Sequence, residues 1–256
     1  MRVQLGDDVA NVNDLRVKLF ADGAELEVIR KMAANPLIKG FTTNPTLMRK
    51  AGISDYVAFA RDALRVVPDL PISFEVFSDD FAEMEVQALE IASWGSNVFV
   101  KIPITNTRGE SAAPLVSRLS AAGVQLNVTA ILTEAQVAGI AAVLSPRTAC
   151  FVSVFAGRIA DTGCDPLPII ARSLALLRHL PLAEVIWASP RELLNVFQAD
   201  AVGCHVITAT ADVLNKLSLV GKDLTAYSLE TVEMFRKDAV AAGFTIPVSA
   251  PVRGGV

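Results

Sequence analysis

The stretch Val98-Phe99-Val100-Lys101-Ile102-Pro103-Ile104 sets one lysine among six apolar residues. Val98 to Ile102 reads as a strand buried on both faces, where an ammonium is costly and is driven toward its neutral form. A neutral lysine amine in an apolar pocket is a nucleophile suited to forming a Schiff base with a carbonyl compound. The structural alternative is a strand-end lysine whose stem lies along apolar surface while its head stays in water.

Other chemically capable residues follow the same pattern of short apolar runs that end in polar side chains. Asp22 follows Val17-Lys18-Leu19-Phe20-Ala21, and Thr43 and Asn44 follow Leu37-Ile38-Lys39-Gly40-Phe41. Glu75 sits within the run from Pro71 to Phe77, and Asn127 and Thr129 close the run that starts at Val124. Ser153 lies in Cys150 to Phe155 ahead of Arg158, and Ser189 and Arg191 come after Glu184 to Ala188. One amine, two carboxylates, neutral hydrogen-bonding groups and two arginines make up a set that a sugar phosphate needs. Arginine forks suit phosphate, and neutral donors suit hydroxyls.

Each residue also has a plainer reading. Asp22 is equally well placed to cap the next helix, Thr43-Asn44-Pro45 is ordinary turn chemistry, and Glu75, harder to dismiss within an apolar strand, has a buried ion pair with Lys101 as its lesser reading. Arg158 and Arg191 read as surface residues near helix starts, although positive charge there opposes the helix dipole, and Ser189-Pro190 is an N-cap signature. Their recurrence at successive strand ends favours a common site.

Strands must position these groups, and the pattern supplies eight of them: the seven runs above and Cys204 to Ile207. Helices are expected over 25–33, from Thr46-Leu47-Met48 onward, over 79–92 with a cap at Ser78 or Asp79, and over 109–122 with Gly123 as terminator. Four more are expected over 133–144, 168–180, 191–200 and 211–217. Eight strands alternating with eight helices predict an α/β fold of the (β/α)8 TIM-barrel type, whose chemistry lies at the carboxyl ends of the strands. A doubly wound open sheet is the alternative, but its Gly-rich phosphate loop is missing after the first strand, which ends Ala21-Asp22-Gly23-Ala24. The whole chain, 1–256, is expected to be one domain, with the barrel over about 15–217 and a helical tail over about 222–256 that includes a helix at 229–242.

Composition narrows the function classes. With 52% hydrophobic and 20% charged residues the chain can bury a large core, and a net charge of -4 offers no basic field for nucleic acid. No apolar run approaches a membrane span and Met1-Arg2-Val3-Gln4 begins no secretory signal, so a cytoplasmic protein without membrane contact is expected. Cys150, Cys164 and Cys204 have no CxxC spacing and read as reduced thiols. His179 and His205 are the only histidines, which argues against a His-based zinc site or a Ser-His-Asp triad; His205 reads as a satisfied core residue. The tail is open to two roles, covering the barrel mouth or packing on a second copy in a homo-oligomer.

The sequence resembles the transaldolase family over about Val17 to Leu217. Gly40-Phe41-Thr42-Thr43-Asn44-Pro45-Thr46 is similar to that family's signature loop, and Val100-Lys101-Ile102-Pro103 to the strand bearing its Schiff-base lysine. Leu126-Asn127-Val128-Thr129 and the run from Ser153 to Ile159 are similar to its fifth and sixth strand ends, and Asp22 follows the first strand as in the family. Glu75 and Phe155 resemble the transaldolase branch; the fructose 6-phosphate aldolases have glutamine and tyrosine there. The chain is shorter than the commonest long transaldolases and carries Pro190 where other residues are usual.

The resemblance implies transfer of a dihydroxyacetone unit from a ketose phosphate to an aldose phosphate, in carbohydrate metabolism of the pentose phosphate type. It implies Lys101, Asp22, Glu75 and Thr129 as catalytic residues. It implies Thr43, Asn44, Asn127, Ser153, Phe155, Arg158, Ser189 and Arg191 as substrate-binding residues, with sugar phosphates as partners and neither metal nor organic cofactor. The rival readings are an aldolase that releases dihydroxyacetone and a non-catalytic barrel that binds sugar phosphates.

Overall fold

In a computed structural model, which describes residues 11–247, the chain divides into two compact units, one ending at Ser218 and one beginning at Leu219. The first ten residues, and the part of the expected tail beyond residue 247, lie outside the described residues.

The first unit is a closed barrel of parallel strands in sequence order. These are β1 (Lys18–Asp22), β2 (Ile38–Thr42), β3 (Ile72–Glu75), β4 (Val98–Pro103), β5 (Leu126–Ile131), β6 (Cys150–Val154), β7 (Ala183–Ala188) and β8 (Val206–Thr210), and β8 pairs back onto β1. Outside them lie α1 (Leu26–Ala33), α2 (Pro45–Lys50), α3 (Tyr56–Val66), α4 (Phe81–Ala92) and α5 (Ala113–Ala121). The ring continues with α6 (Glu134–Ala141), α7 (Ala156–Asp161), α8 (Leu167–Leu177), α9 (Leu194–Ala201) and α10 (Ala211–Leu214). The second unit contains α11 (Leu224–Ala241), capped by the Asp223 side chain on the Ala226 N–H. No described helix is long and apolar enough to cross a membrane.

The period-two alternation of each strand sorts its side chains into two cores. Outward residues such as Leu19, Phe74, Val100, Val128 and Val152 join the large shell between strands and helices. The inward set begins with an apolar floor of Phe20, Phe99, Phe151, Ile186 and Val206. Phe99 and Phe151 stack with ring centroids 4.2 Å apart, and Phe20 meets Phe151 edge-on at 5.4 Å. Gly40 faces this floor, and a Cβ on it would come within 2.5 Å of the Phe20 ring, so the ring occupies the space a side chain would need. Two residues further along β1, β4, β6 and β8 the inward positions turn polar, to Asp22, Lys101, Ser153 and Thr208, while β7 stays apolar at Ala188. That change of layer is why a lysine strand that is apolar on both faces still delivers Lys101 into the barrel.

Several expected boundaries are corrected. The connection from β2 to β3 holds two helices where one helix start was expected; the second, α3, is capped by the Asp55 side chain on the Ala58 N–H. The α4 cap is Asp80, whose carboxylate accepts the Ala82 and Glu83 N–H groups, not Ser78 or Asp79. Residues 109–112 are loop, since Asn106 Oδ1 accepts the Arg108 and Glu110 N–H groups and holds the chain in a turn. Ala156 to Asp161 form the extra helix α7. The helix expected from Arg191 starts at Leu194, and Ser189 does not cap it; its φ of 61° is left-handed. The helix expected over 211–217 divides into α10 and a 3-10 turn over Asn215–Leu219. In the tail, α11 starts at Leu224, not Leu229, because Asp223 supplies the cap. His205 is half-buried, with Nδ1 accepting the Val185 N–H at 3.0 Å, and the three cysteines are free thiols. Burial pushes the Cys150 and Cys204 thiols up to about 12.

Candidate active site

The polar layer opens into a cavity of about 540 Å³ at the carboxyl ends of the strands. The register of β3 on β4 sets Glu75 beside Lys101, and that of β4 on β5 sets Lys101 beside Asn127. Lys101 Nζ donates to the Thr43 carbonyl at 2.8 Å and lies 3.3 Å from Glu75 Oε2. The Lys101 side chain is 8% exposed and that of Glu75 18%, so the amine does not run out to solvent; it ends inside the barrel.

Asp22 lies across the mouth on β1. Its Oδ1 accepts from Thr42 Oγ1 at 2.8 Å and its Oδ2 from Asn44 Nδ2 at 3.3 Å. Thr42 Oγ1 also lies 2.5 Å from Thr208 Oγ1, and since Thr42 gives its only hydroxyl hydrogen to Asp22, Thr208 donates to Thr42. Asp22 is enclosed by protein while one side still faces the cavity. Burial raises its carboxyl above the ordinary value, against the Lys101 charge and the Thr42 and Asn44 hydrogen bonds, with the Glu75 charge pushing the same way as burial. Asp22 does not cap α1, whose N-cap is Glu25. Asn44 does two jobs: its Oδ1 caps α2 on the Leu47 N–H while its amide holds Asp22.

On the next wall, Asn127 Nδ2 donates to Ser73 Oγ at 2.9 Å and Asn127 Oδ1 accepts from Ser153 Oγ at 2.7 Å, which fixes the amide between β3 and β6. Thr129 lines the cavity with a buried Oγ1 that has no partner among the described residues. It stands at a register shift between β5 and β6, followed by Ala130 at φ 61°, a bulge that re-aims the strand end.

The far side of the cavity carries the two arginines. Phe155, Arg158, Ser189 and Arg191 all line it, and the Arg158 guanidinium lies 5.8 Å from the Phe155 ring centroid. Gly157 is what lets the two strand ends meet here: a Cβ on it would stand 1.5 Å from the Ser189 carbonyl oxygen. Gly157→Ala is therefore expected to displace the loop after β7 and lower stability by about 1–3 kcal/mol, the overpacking range, or more. Chemical denaturation read beside the KM for a phosphorylated donor checks this; an unchanged midpoint and KM would refute it.

Of the residues expected at the site, eleven of twelve line this one cavity. Thr43 is the exception. Its side chain is buried and donates to the Ser73 carbonyl at 2.9 Å, and what it presents to Lys101 is its own carbonyl. Thr42, Thr208 and Lys50 line the cavity without having been singled out. Alternation continued one step past Ile207 would have indicated Thr208. No sequence signal indicates Tyr56 on α3, whose hydroxyl accepts the Glu75 N–H at 2.7 Å and donates to the Glu75 carbonyl at 3.0 Å. Burial raises the Tyr56 phenol well above its ordinary value, so it stays a donor. Tyr56→Phe leaves both Glu75 backbone groups without this partner and is expected to cost about 1–3 kcal/mol, measured by urea denaturation.

Fold and site together define a (β/α)8 barrel whose polar face, at the carboxyl ends of the strands, is organised around a buried amine. Residues 19–246 match the model of the family described as Transaldolase/Fructose-6-phosphate aldolase. The chain is 36% identical over 232 residues to a "Probable transaldolase" of Thermoanaerobacter sp. (strain X514), covering 90% of this chain and 100% of the relative. A "Probable transaldolase" of Dehalococcoides mccartyi is 36% identical over 202 residues, 78% of this chain and 90% of the relative. A crystal structure from Burkholderia cenocepacia J2315 has a TM-score of 0.55 at 13% identity, covering 87% of this chain and 94% of that one, a likeness of fold alone. The chain belongs to the transaldolase/fructose-6-phosphate aldolase family.

Proposed function

We propose that this protein is a transaldolase, moving a dihydroxyacetone unit from a ketose phosphate such as sedoheptulose 7-phosphate or fructose 6-phosphate to an aldose phosphate. The observation that carries the reading is the convergence of Lys101, Glu75 and Asp22, from three separate strands, on one cavity that also holds two arginines. Lys101 as the free amine attacks the C2 ketone and forms a carbinolamine. Glu75, 3.3 Å from Nζ, takes the amine proton and returns one through a water on Thr129, so that the C2 hydroxyl leaves as water and a protonated Schiff base remains. Asp22 as carboxylate removes the C4 hydroxyl proton. The C3–C4 bond then breaks, its electron pair enters the iminium to give an enamine, and C4 leaves as the aldehyde of the shortened sugar phosphate.

The second aldehyde enters, the enamine carbon attacks it, and Asp22 returns the proton to the new hydroxyl. Water then hydrolyses the Schiff base and releases the product. Asn44, Asn127 and Ser153 hold the hydroxyls of the three-carbon unit, and Arg158, Ser189 and Arg191 hold the phosphate. Phe155 presents an apolar face beside the intermediate and keeps water from reaching it before the acceptor does.

The test is borohydride reduction in the presence of fructose 6-phosphate, with the adduct mapped by peptide, followed by turnover with and without erythrose 4-phosphate. An adduct on the Lys101 peptide together with acceptor-dependent turnover is the expected result. Turnover that releases dihydroxyacetone without an acceptor would place the enzyme with the aldolases, and an adduct on another lysine would overturn the assignment.

A further inference from the structure

Arg191 is gripped along one edge. Its Nε donates to Asp161 Oδ1 at 2.9 Å and its Nη2 to Asp161 Oδ2 in a two-point fork. Its Nη1 has no protein partner among the described residues, and Arg191 lines the cavity whereas Asp161 does not. Asp161 and Gly157 are four residues apart on α7 and so share a face, while Arg158 projects from the same helix into the cavity. A Cβ on Gly157 would also lie 3.3 Å from Arg191 Nε, so the absence of a side chain there lets Arg191 pass close over α7 to reach Asp161.

Stability does not account for the pair. Both side chains are about half exposed, at 48% and 53%, and exposed ion pairs contribute little. A carboxylate beside an anion-binding arginine also weakens the field that draws phosphate in. Its gain is geometric: a guanidinium held by one edge presents the hydrogens of its end in a fixed plane, the arrangement that bidentate recognition requires.

We infer that Asp161 is a positioning residue for phosphate, orienting Arg191 so that its end-on hydrogens meet the phosphate of the sugar at a fixed angle. The inference rests on the reading of Arg191 as a phosphate ligand. In its absence Arg191 samples many rotamers, and the cost falls on binding of the phosphorylated substrate, not on the chemistry at Lys101.

The experiment compares Asp161→Ala, Asp161→Glu and Arg191→Gln in the full chain. Asp161→Ala should raise the KM for fructose 6-phosphate roughly tenfold, the scale of one charge-assisted hydrogen bond, with kcat within about twofold. Inhibition by inorganic phosphate should weaken by the same factor. The rate of borohydride trapping with unphosphorylated fructose should not change, and Asp161→Glu should recover part of the loss. An unchanged or lowered KM in Asp161→Ala, or equal losses with fructose and fructose 6-phosphate, overturns the inference. If Arg191→Gln raises the KM and weakens phosphate inhibition while Asp161→Ala does neither, only the inference falls. If neither variant alters the response to phosphate, the phosphate-binding reading falls with it.

Discussion

Lys101→Met is expected to abolish turnover while the barrel remains folded. Losing a covalent nucleophile lowers kcat by on the order of 10⁵-fold or more, because no neighbouring group can replace the bond it forms. Methionine matches the length and apolar character of the lysine stem, so the inward packing above the Phe99 floor is kept. What changes is the charge balance. Glu75 loses its partner at 3.3 Å and the Thr43 carbonyl loses its donor. Removing one member of a fully buried ion pair costs about 3–5 kcal/mol. Glu75 is 18% exposed and borders the cavity, so it keeps some access to water and the loss should be smaller. Adding Glu75→Gln to Lys101→Met should recover part of that stability. Urea denaturation of the single and double variants measures the balance, and borohydride labelling with fructose 6-phosphate measures the chemistry. Retained turnover, or labelling of another residue at a comparable rate, would remove Lys101 from the mechanism.

The second large effect concerns Asp22. Asp22→Asn should still form the Schiff base but cleave the C3–C4 bond about 10²–10⁴-fold more slowly, the usual range for a lost acid–base group. Its distinguishing mark is in the pH profile. Burial holds the Asp22 carboxyl above the ordinary carboxylate value, and only the ionised form can take the C4 hydroxyl proton. Wild-type cleavage should therefore fall as pH drops through that raised value, and this limb should be missing from the residual rate of the variant.

The same shift predicts a stability signature of opposite sense. In the unfolded chain Asp22 ionises at its ordinary value, whereas the folded protein resists ionisation until higher pH. The wild type therefore loses stability as pH rises from the unfolded value through the folded one, and above the folded value the penalty is complete. Asparagine carries no such penalty. The stability of Asp22→Asn relative to wild type should be greatest above the raised folded value and should shrink as pH falls toward and below the ordinary carboxylate range. Denaturation curves at several pH values check this. A pH-independent difference, or an acid limb retained in the variant, would show that Asp22 does not titrate as the geometry requires.

Strand count, alternation with helices and the polar residues at strand ends were legible in the sequence because they are local. A run such as Val98 to Ile102 declares itself as a strand within five residues, and Thr42-Thr43-Asn44-Pro45 ends one strand and starts a helix within four. Lys101 was conspicuous for the same reason, since its cost is set by its immediate neighbours. The chain alone thus determined the barrel, the end at which its polar residues gather and the candidate lysine.

Which polar side chains touch was decided by closure of the barrel. Pairing register and the return of β8 onto β1 bring Glu75 beside Lys101, Thr208 beside Thr42, and Asn127 between Ser73 and Ser153. The raised Asp22 carboxyl is a product of the same closure, since its burial is supplied by residues far away in sequence. Tyr56 reaches the Glu75 backbone from α3, nineteen residues away in sequence, and Asp161 reaches Arg191 across thirty residues of chain. Side-chain chemistry is written residue by residue, but the distances that turn a lysine, two carboxylates and two arginines into one site exist only after eight strands have closed into a ring.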